Sequence, residues 1–166
     1  MDVPEDGPLL GLDVGSRRIG LAVSDPLRMS ASGAGTVDRL KAGWMERVAE
    51  VAREHGVTGL ILGLPRRTDG SQGPEAEAVL RMGRRLSART KLPVTYWDER
   101  LTTRQAERAL LEGGLSRARR RAVVDQTAAI LILQGFLDAH RQAASFAPPP
   151  DEEESGPTGS KGKRHW

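Results

Sequence analysis

The chain of 166 residues contains no cysteine, so it can form neither a disulfide nor a cysteine-based zinc site. Its histidines are too scattered to suggest a zinc ligand set, at His55, His140 and His165. Aromatic residues make up only 4% of the chain, which argues against a protein that binds single strands mainly by stacking. Carboxylates and cationic side chains remain as the groups that can carry chemistry.

Long apolar runs are also lacking. The densest run, Ala128–Leu133, is far too short to span a bilayer, and the acidic start does not resemble a secretion signal. We therefore expect a cytoplasmic protein. The length suits one domain with its own core, which we place at residues 8–141. Residues 1–7 are expected to be flexible, and the proline-rich, charged tail at 142–166 is expected to be disordered.

The net charge of +3 understates how basic the body of the chain is. Positions 8–150 carry 22 basic and 15 acidic residues, because both ends are rich in acids. Arginine outnumbers lysine, and its guanidinium suits bidentate contact with phosphate. A solvated arginine-rich surface is the alternative explanation, so charge alone does not decide for a nucleic-acid partner.

The hydrophobic pattern predicts an α/β protein. Apolar runs bounded by turn residues predict a β-meander over Leu9–Val14, Ile19–Ser24 and Met29–Val37. Two further strands are predicted at Gly59–Leu64 and Pro93–Trp97. Helical spacing predicts helices over Asp38–His55, Pro74–Thr90, Thr102–Gly113 and Arg117–Arg141. The order βββ-α-β-α-β-α-α predicts a mixed five-stranded sheet with helices on both faces.

Two acids stand at strand ends. Asp13 shares a strand face with Leu9 and Gly11, where a charge is costly unless it is paired or bound to metal. Glu99 follows the fifth strand and points to the opposite face from Asp98. Each acid also has an ordinary explanation: Asp13 can accept hydrogen bonds from the following turn, and Glu99 can pair with a nearby arginine.

A third acid, Asp125, lies on the apolar stripe of the last helix. Its neighbours three, four, seven and eleven residues on are Ala128, Ala129, Ile132 and Phe136. A carboxylate on a core-facing stripe needs a cation or hydrogen-bond donors. Asp125 satisfied by an arginine, by backbone groups or as a helix cap remains the alternative. Asp138 points roughly the other way and is interpreted as a solvated acid.

The three acids are informative as a set. They lie at two strand ends and on one helix, so they can form one site only when the chain is folded. Three carboxylates with open coordination positions suit Mg²⁺ or Mn²⁺. Two such ions can activate a water and stabilise the leaving oxygen of a phosphoryl displacement. Asp13, Glu99 and Asp125 are therefore the candidate catalytic and metal-binding residues, with two ions expected.

Four segments of the chain resemble one family in order: LGLDVGSRRIGLAVSD at 10–25, LILGLPRRTDGSQG at 60–73, WDERLTTRQAERAL at 97–110 and VVDQTAAILIL at 123–133. The chain is similar to the YqgF/RuvX family, over about residues 8–138. Its members are bacterial RNase H-like proteins, described as pre-16S rRNA processing nucleases and as Holliday junction resolvases. The resemblance implies an RNase H-like fold, and it matches Asp13, Glu99 and Asp125 to the family's acids.

Arginines border the expected site and are the candidate nucleic-acid-binding residues. They lie after the first strand, after the fourth strand, around Glu99 and at the start of the last helix: Arg17, Arg18, Arg66, Arg67, Arg100, Arg104, Arg117, Arg119, Arg120 and Arg121. Cations at a helix start oppose the helix dipole, a cost that phosphate contact would offset. Water-exposed arginines are the alternative, and Trp97 is expected in the core rather than stacked on a base.

The leading hypothesis is a nuclease that matures the 5′ end of precursor 16S rRNA. The same site could cut four-way DNA junctions, and a resolvase making two symmetric cuts would need a homodimer. Asp-Val-Gly-Ser after a strand also resembles the phosphate loop of sugar kinases and actin-like ATPases, but those need two such domains. The remaining alternative is a non-catalytic RNA-binding module.

Overall fold

The structure is a computed structural model that describes residues 3–66, 69, 71–101 and 117–146, with only the backbone described at 117–125 and 142–146. In chain order the elements are β1 Leu9–Val14, β2 Arg18–Ser24, β3 Ala31–Asp38, α1 Trp44–Glu54, β4 Gly59–Leu64, α2 Pro74–Thr90, β5 Val94–Asp98, a 3-10 turn Glu99–Leu101, and α3 Arg117–Phe146. The helix predicted at Thr102–Gly113 lies outside the described residues.

The strands form one five-stranded sheet in the order β3-β2-β1-β4-β5. The first three strands pair antiparallel as a meander, and β4 and β5 run parallel to β1. The mixed α/β sheet predicted from the sequence is therefore confirmed. The ends of β1, β3, β4 and β5 and the start of β2 lie along one side of the sheet, which we call the carboxyl edge.

Two apolar layers hold the helices against opposite faces of the sheet. Side chains alternate along each strand, so Leu10 and Leu12 of β1 face the layer formed with α1 and α2. Leu9 and Ile61 face the layer formed with α3, where they pack against Leu133 and its neighbours. All of these side chains are buried, and their burial from water is the main stabilising contribution to the fold.

The direction of α3 follows from its contacts. Ala128, about three turns into the helix, borders the depression beside Asp13 at the carboxyl edge. Gln134 lies nearer the opposite edge, where its Oε1 accepts a hydrogen bond of 2.9 Å from the backbone N–H of Ala31. The helix therefore enters the sheet at the carboxyl edge and runs away from it. It continues to Phe146, five residues beyond the predicted end at Arg141.

The predicted start of α1 is wrong. The helix begins at Trp44 rather than Asp38, because Gly43 has a left-handed φ of 82° and the Asp38 carboxylate accepts the backbone N–H of Leu40 at 2.9 Å. Leu40, expected on the buried stripe, is 72% exposed. The segment between β3 and α1 is therefore a turn at the carboxyl edge.

The segment before β1 contacts the domain. The Arg28 guanidinium donates to the carbonyl oxygens of Gly7, at 2.8 Å, and Pro4, and the Thr58 hydroxyl donates to the Asp6 carbonyl at 3.0 Å. The expected domain limits and the flexibility of residues 1–7 remain predictions, and residues 147–166 lie outside the described part. Among the described residues, no helix is long and apolar enough to cross a membrane.

Gly11 allows α3 to lie close to the sheet, because a Cβ there would come within 2.8 Å of Leu133 Cβ and 3.2 Å of the Ala129 carbonyl oxygen. We expect Gly11→Ala to lower the free energy of unfolding by about 1–3 kcal/mol, since the added methyl forces the helix outward. Urea denaturation measures this. Ser32→Ala, at an exposed position of β3, is the control and should change stability by less than about 0.5 kcal/mol. Equal stability of the two variants would contradict the packing argument.

Candidate active site

Asp13 lies near the end of β1, half-buried, on the sheet face that α3 covers. The turn after it is tight, because the Gly15 N–H donates to the Arg18 carbonyl at 2.9 Å and a Cβ on Gly15 would lie 2.6 Å from that oxygen. The Arg39 guanidinium donates to the Gly15 carbonyl at 2.8 Å, and the Arg39 N–H donates to the Arg17 carbonyl at 2.9 Å. These two hydrogen bonds from Arg39 stabilise the turn that follows Asp13.

Glu99 reaches Asp13 across the intervening strand β4. Residue 63 of β4 pairs with Trp97 of β5 and lies on the same face as Asp13. It is a glycine, and a Cβ there would come within 2.9 Å of Glu99 Oε1 and 2.4 Å of Ile132 Cδ1. The Glu99 side chain therefore occupies the space above Gly63, and its carboxyl group forms a hydrogen bond with the carboxyl group of Asp13.

The electrostatics of this pair are unfavourable for two negative charges. Burial raises the pKa of Glu99 to about 7, with further contributions from the charge and hydrogen bond of Asp13 and the charge of Asp98. Two adjacent carboxylates in a partly desolvated site cannot both ionise without cost, so the pair retains one proton up to about neutral pH. A divalent cation between them would replace that proton.

Asp98 has a different role from its neighbour, as the strand alternation predicts. Its carboxylate accepts hydrogen bonds from the Arg100 guanidinium, the shortest at 2.7 Å, and lies 3.7 Å from Arg66 Nε. The hydrogen bonds from Arg100 hold the pKa of Asp98 below its usual range. Asp98 is therefore an ionised partner of two arginines, and Glu99 is the acid that joins Asp13.

Asp125 lies in α3, one turn before Ala128 and Ala129, but its side chain lies outside the described residues. The stripe on which the sequence places it does face the sheet, since Ala129, Ile132 and Phe136 are buried there. Among the described side chains, no group of three or more metal-ligating residues is found. The contribution of Asp125 to the site therefore remains a prediction.

Arg17 and Arg18 lie beside Asp13 at the carboxyl edge. Both are exposed, and with Asp13 and Ala128 they line an open depression of about 530 Å³ at the carboxyl edge. Arg66 and Arg100 are held near the same edge through Asp98. The other candidates lie outside the described residues (Arg67 and Arg104) or have only their backbone described, in α3 (Arg117, Arg119, Arg120 and Arg121).

Trp97 belongs to the core, as expected. Its ring packs edge-on against Phe136 at a centroid distance of 6.0 Å, and its indole nitrogen lies 3.0 Å from where a Cβ of Gly135 would be. Trp97 thereby packs the end of β5 against α3, directly before Glu99. Asp138, expected to be solvated, is half-exposed and pairs with Arg141.

Two residues of the site were missed by the sequence reasoning. Gly63 was treated only as part of a strand, and Arg39 only as part of a helix. A glycine within an otherwise apolar strand is a recognised signal of close approach by another group, and it could have pointed to Gly63. Arg39 acts through a contact 24 positions away along the chain, which no local pattern indicates.

The chain is similar to a large set of known proteins. A sequence model of the RuvX family, described as Holliday junction resolvase, matches residues 7–139. A protein of Moorella thermoacetica is 52% identical over 131 residues, covering 78% of this chain and 94% of the relative. A Myxococcus xanthus protein is 51% identical over 146 residues, covering 87% and 91%. Both relatives carry the name of a candidate pre-16S rRNA nuclease.

The fold also has a counterpart among solved structures. Thermus thermophilus RuvC in complex with a Holliday junction substrate superimposes with a TM-score of 0.53 at 17% identity, covering 87% of this chain and 99% of that one. This likeness supports the RNase H-like fold. With the family match over residues 7–139 and close relatives over most of its length, the chain belongs to the RuvX family.

Proposed function

We propose that this protein is a metal-dependent nuclease that hydrolyses phosphodiester bonds in structured nucleic acid, with precursor 16S rRNA as its substrate in 5′-end maturation. The observation that carries the proposal is the contact of Asp13 and Glu99 above Gly63 at the carboxyl edge. The names of the relatives support the choice of RNA. The family description supports a second candidate, cleavage of four-way DNA junctions, for which a homodimer would be needed.

The residues present fit a divalent cation. Two carboxyl groups in contact, one with its pKa raised to about 7, form a site that gains stability when a cation replaces the shared proton. Asp13, Glu99 and Asp125 would hold Mg²⁺ or Mn²⁺. Both ions prefer oxygen ligands and keep coordination positions open for water or substrate. When bound, two such ions supply an activated water and stabilise the leaving oxygen of the phosphodiester.

The chain's own side chains orient the substrate. Arg17 and Arg18 line the depression beside Asp13, where they would contact the phosphates that flank the scissile bond. Arg39 keeps their turn in place through the Gly15 and Arg17 carbonyls. Arg66 and Arg100, anchored by Asp98, would bind the strand on the other side of Glu99. The protein would act in the cytoplasm on nucleic acid held across this edge.

Replacing any of the three acids should abolish cleavage. We expect Asp13→Asn, Glu99→Gln and Asp125→Asn each to lower the cleavage rate by more than about 100-fold, because even the loss of a group that only hydrogen-bonds to a metal ligand costs about 10–100-fold. The assay compares a precursor 16S 5′-end RNA, a four-way DNA junction and duplex controls, with Mg²⁺, Mn²⁺ or EDTA. Cleavage of the junction alone would favour the resolvase, and full activity of all three variants would refute the assignment.

The raised pKa of Glu99 should make stability depend on pH when divalent metal is absent. The folded protein binds this proton more tightly than the unfolded chain, in which the pKa of Glu99 returns to about 4.5. The free energy of unfolding therefore falls as pH rises from about 4.5 to about 7. We expect Glu99→Gln to lose this decline in thermal melts in EDTA. The control is Glu77→Gln, at an exposed position of α2, which should keep it.

Gly63→Ala should impair the site more than the fold. The added methyl would meet Glu99 Oε1 as well as Ile132, and displacing a catalytic group by about 1 Å can cost on the order of 100-fold in rate. Gly11→Ala is the matched control, since its methyl meets α3 but no acid. We expect kcat to fall strongly only in Gly63→Ala at temperatures where both variants are folded. Equal losses in both variants would mean that only helix packing matters.

A further inference from the structure

A second pocket lies at the carboxyl edge, between the end of β3 and the start of α1. It has a volume of about 360 Å³, and its lining includes Arg18, Asp38, Lys41, Trp44 and Arg47. Residues 41–43, in the turn where the sequence pattern predicts a helix, form one wall of this pocket. Of the residues that line this pocket, only Arg18 also lines the depression beside Asp13.

The pocket is electropositive. Arg18, Lys41 and Arg47 supply positive charge, against one acid, Asp38, whose carboxylate accepts the Leu40 N–H. Arg47 pairs with Glu50 at 2.9 Å and lies 3.7 Å from Glu54 on the helix surface, and all three side chains are more than half-exposed. Exposed ion pairs of this kind contribute little stability, so Arg47 can turn to a phosphate group at small cost.

Trp44 gives the pocket a flat apolar surface. The indole is partly buried against the core formed with α1, and it also lines the pocket. An aromatic ring held beside cations is the arrangement by which proteins bind a base and its phosphate together. An acidic protein partner would use the cations but would have less need of the ring.

Arg18 connects this pocket to the proposed active site, because it lines both depressions. Asp13 pairs with Gly20, and Arg18 pairs with Asp38 on the next strand. Strand spacing and residue rise then put Asp38 roughly 12 Å from Asp13. At a rise of about 3.4 Å per nucleotide, a strand covers that distance in about three to four steps.

We propose that this pocket, lined by Lys41, Trp44 and Arg47, is a second nucleic-acid subsite that binds the substrate strand beyond the scissile phosphate. Lys41 and Arg47 contact the backbone phosphate and Trp44 stacks on a base, while Arg18 bridges the two sites. The inference rests on the proposed nuclease function, which sets the direction of the strand. Contacts to a phosphate and a base apply to RNA and DNA alike.

Binding measurements without added metal test the subsite separately from cleavage. The probes are a fluorescein-labelled precursor 16S 5′-end RNA and a four-way DNA junction, each also in a form shortened by several nucleotides on either side of the cleavage position. We expect Lys41→Ala combined with Trp44→Leu to raise Kd for the long probes by about tenfold or more. Lys41→Ala alone should reduce the salt slope of log K by about 0.7–0.9. The shortened probes should no longer distinguish the variants.

Two controls separate the pocket from general effects. Trp44→Phe keeps a stacking ring and should bind like the parent, and thermal melting checks that Trp44→Leu is folded. Arg53→Ala removes an exposed arginine at the other end of α1 and should leave Kd unchanged. Unchanged Kd and salt slope in the Lys41 and Trp44 variants would overturn the proposal, as would an equal loss in Arg53→Ala or no binding by the parent.

A parallel assay with Mn²⁺ distinguishes this inference from the proposed function. Cleavage by the parent, with normal binding by the Lys41 and Trp44 variants, would retain the nuclease and remove the subsite. Binding that depends on Lys41 and Trp44, with no cleavage of either probe, would retain the subsite and assign it to a non-catalytic nucleic-acid-binding protein.

Discussion

The contact between Asp13 and Glu99 constrains much of this fold. The two acids belong to strands that are not neighbours, since β4 lies between β1 and β5 and separates their backbones by roughly 10 Å. They meet because β4 has no side chain at Gly63, so that Glu99 can extend across it. Ile132 of α3 packs against the same glycine from above, which fixes how closely the helix approaches. The missing side chain at Gly63 thus makes room for the acid pair, and together with Gly11 it allows α3 to lie close to the sheet.

The carboxyl edge concentrates positive potential around this acid pair. The first turns of α1 and α2 follow strands that end at this edge, so the positive ends of two helix dipoles lie on the same side. Arg17 and Arg18 add fixed charge beside Asp13, and Asp98 holds Arg66 and Arg100 nearby. Nucleic acid, which is anionic, is attracted by such a field.

The sequence predicts the strands of this fold better than its turns. Buried runs such as Gly59–Leu64 are bounded by glycine or proline, and the observed strand has the predicted limits. The face of Asp13 follows from strict alternation, and the sheet-facing stripe of α3 follows from helical spacing. The predicted start of α1 is wrong because Leu40 fits the helical period, whereas the left-handed Gly43 and the Asp38 carboxylate that accepts the Leu40 N–H form a turn. Contacts between distant positions, such as Arg39 with Gly15 or Glu99 with Gly63, leave no periodic signal.

The turn between β3 and α1 links these observations to substrate binding. If residues 39–43 continued the helix, Arg39 would no longer donate hydrogen bonds to the carbonyl oxygens of Gly15 and Arg17. The turn beside Asp13 would then lose these two contacts. Residues 41–43 of this turn also form a wall of the pocket that Trp44 lines. The turn between β3 and α1 therefore contacts the turn after Asp13 through Arg39, and it also lines the neighbouring pocket. With a left-handed Gly43 and the Asp38 carboxylate accepting the Leu40 N–H, this segment holds Arg39 against the turn that carries Arg17 and Arg18.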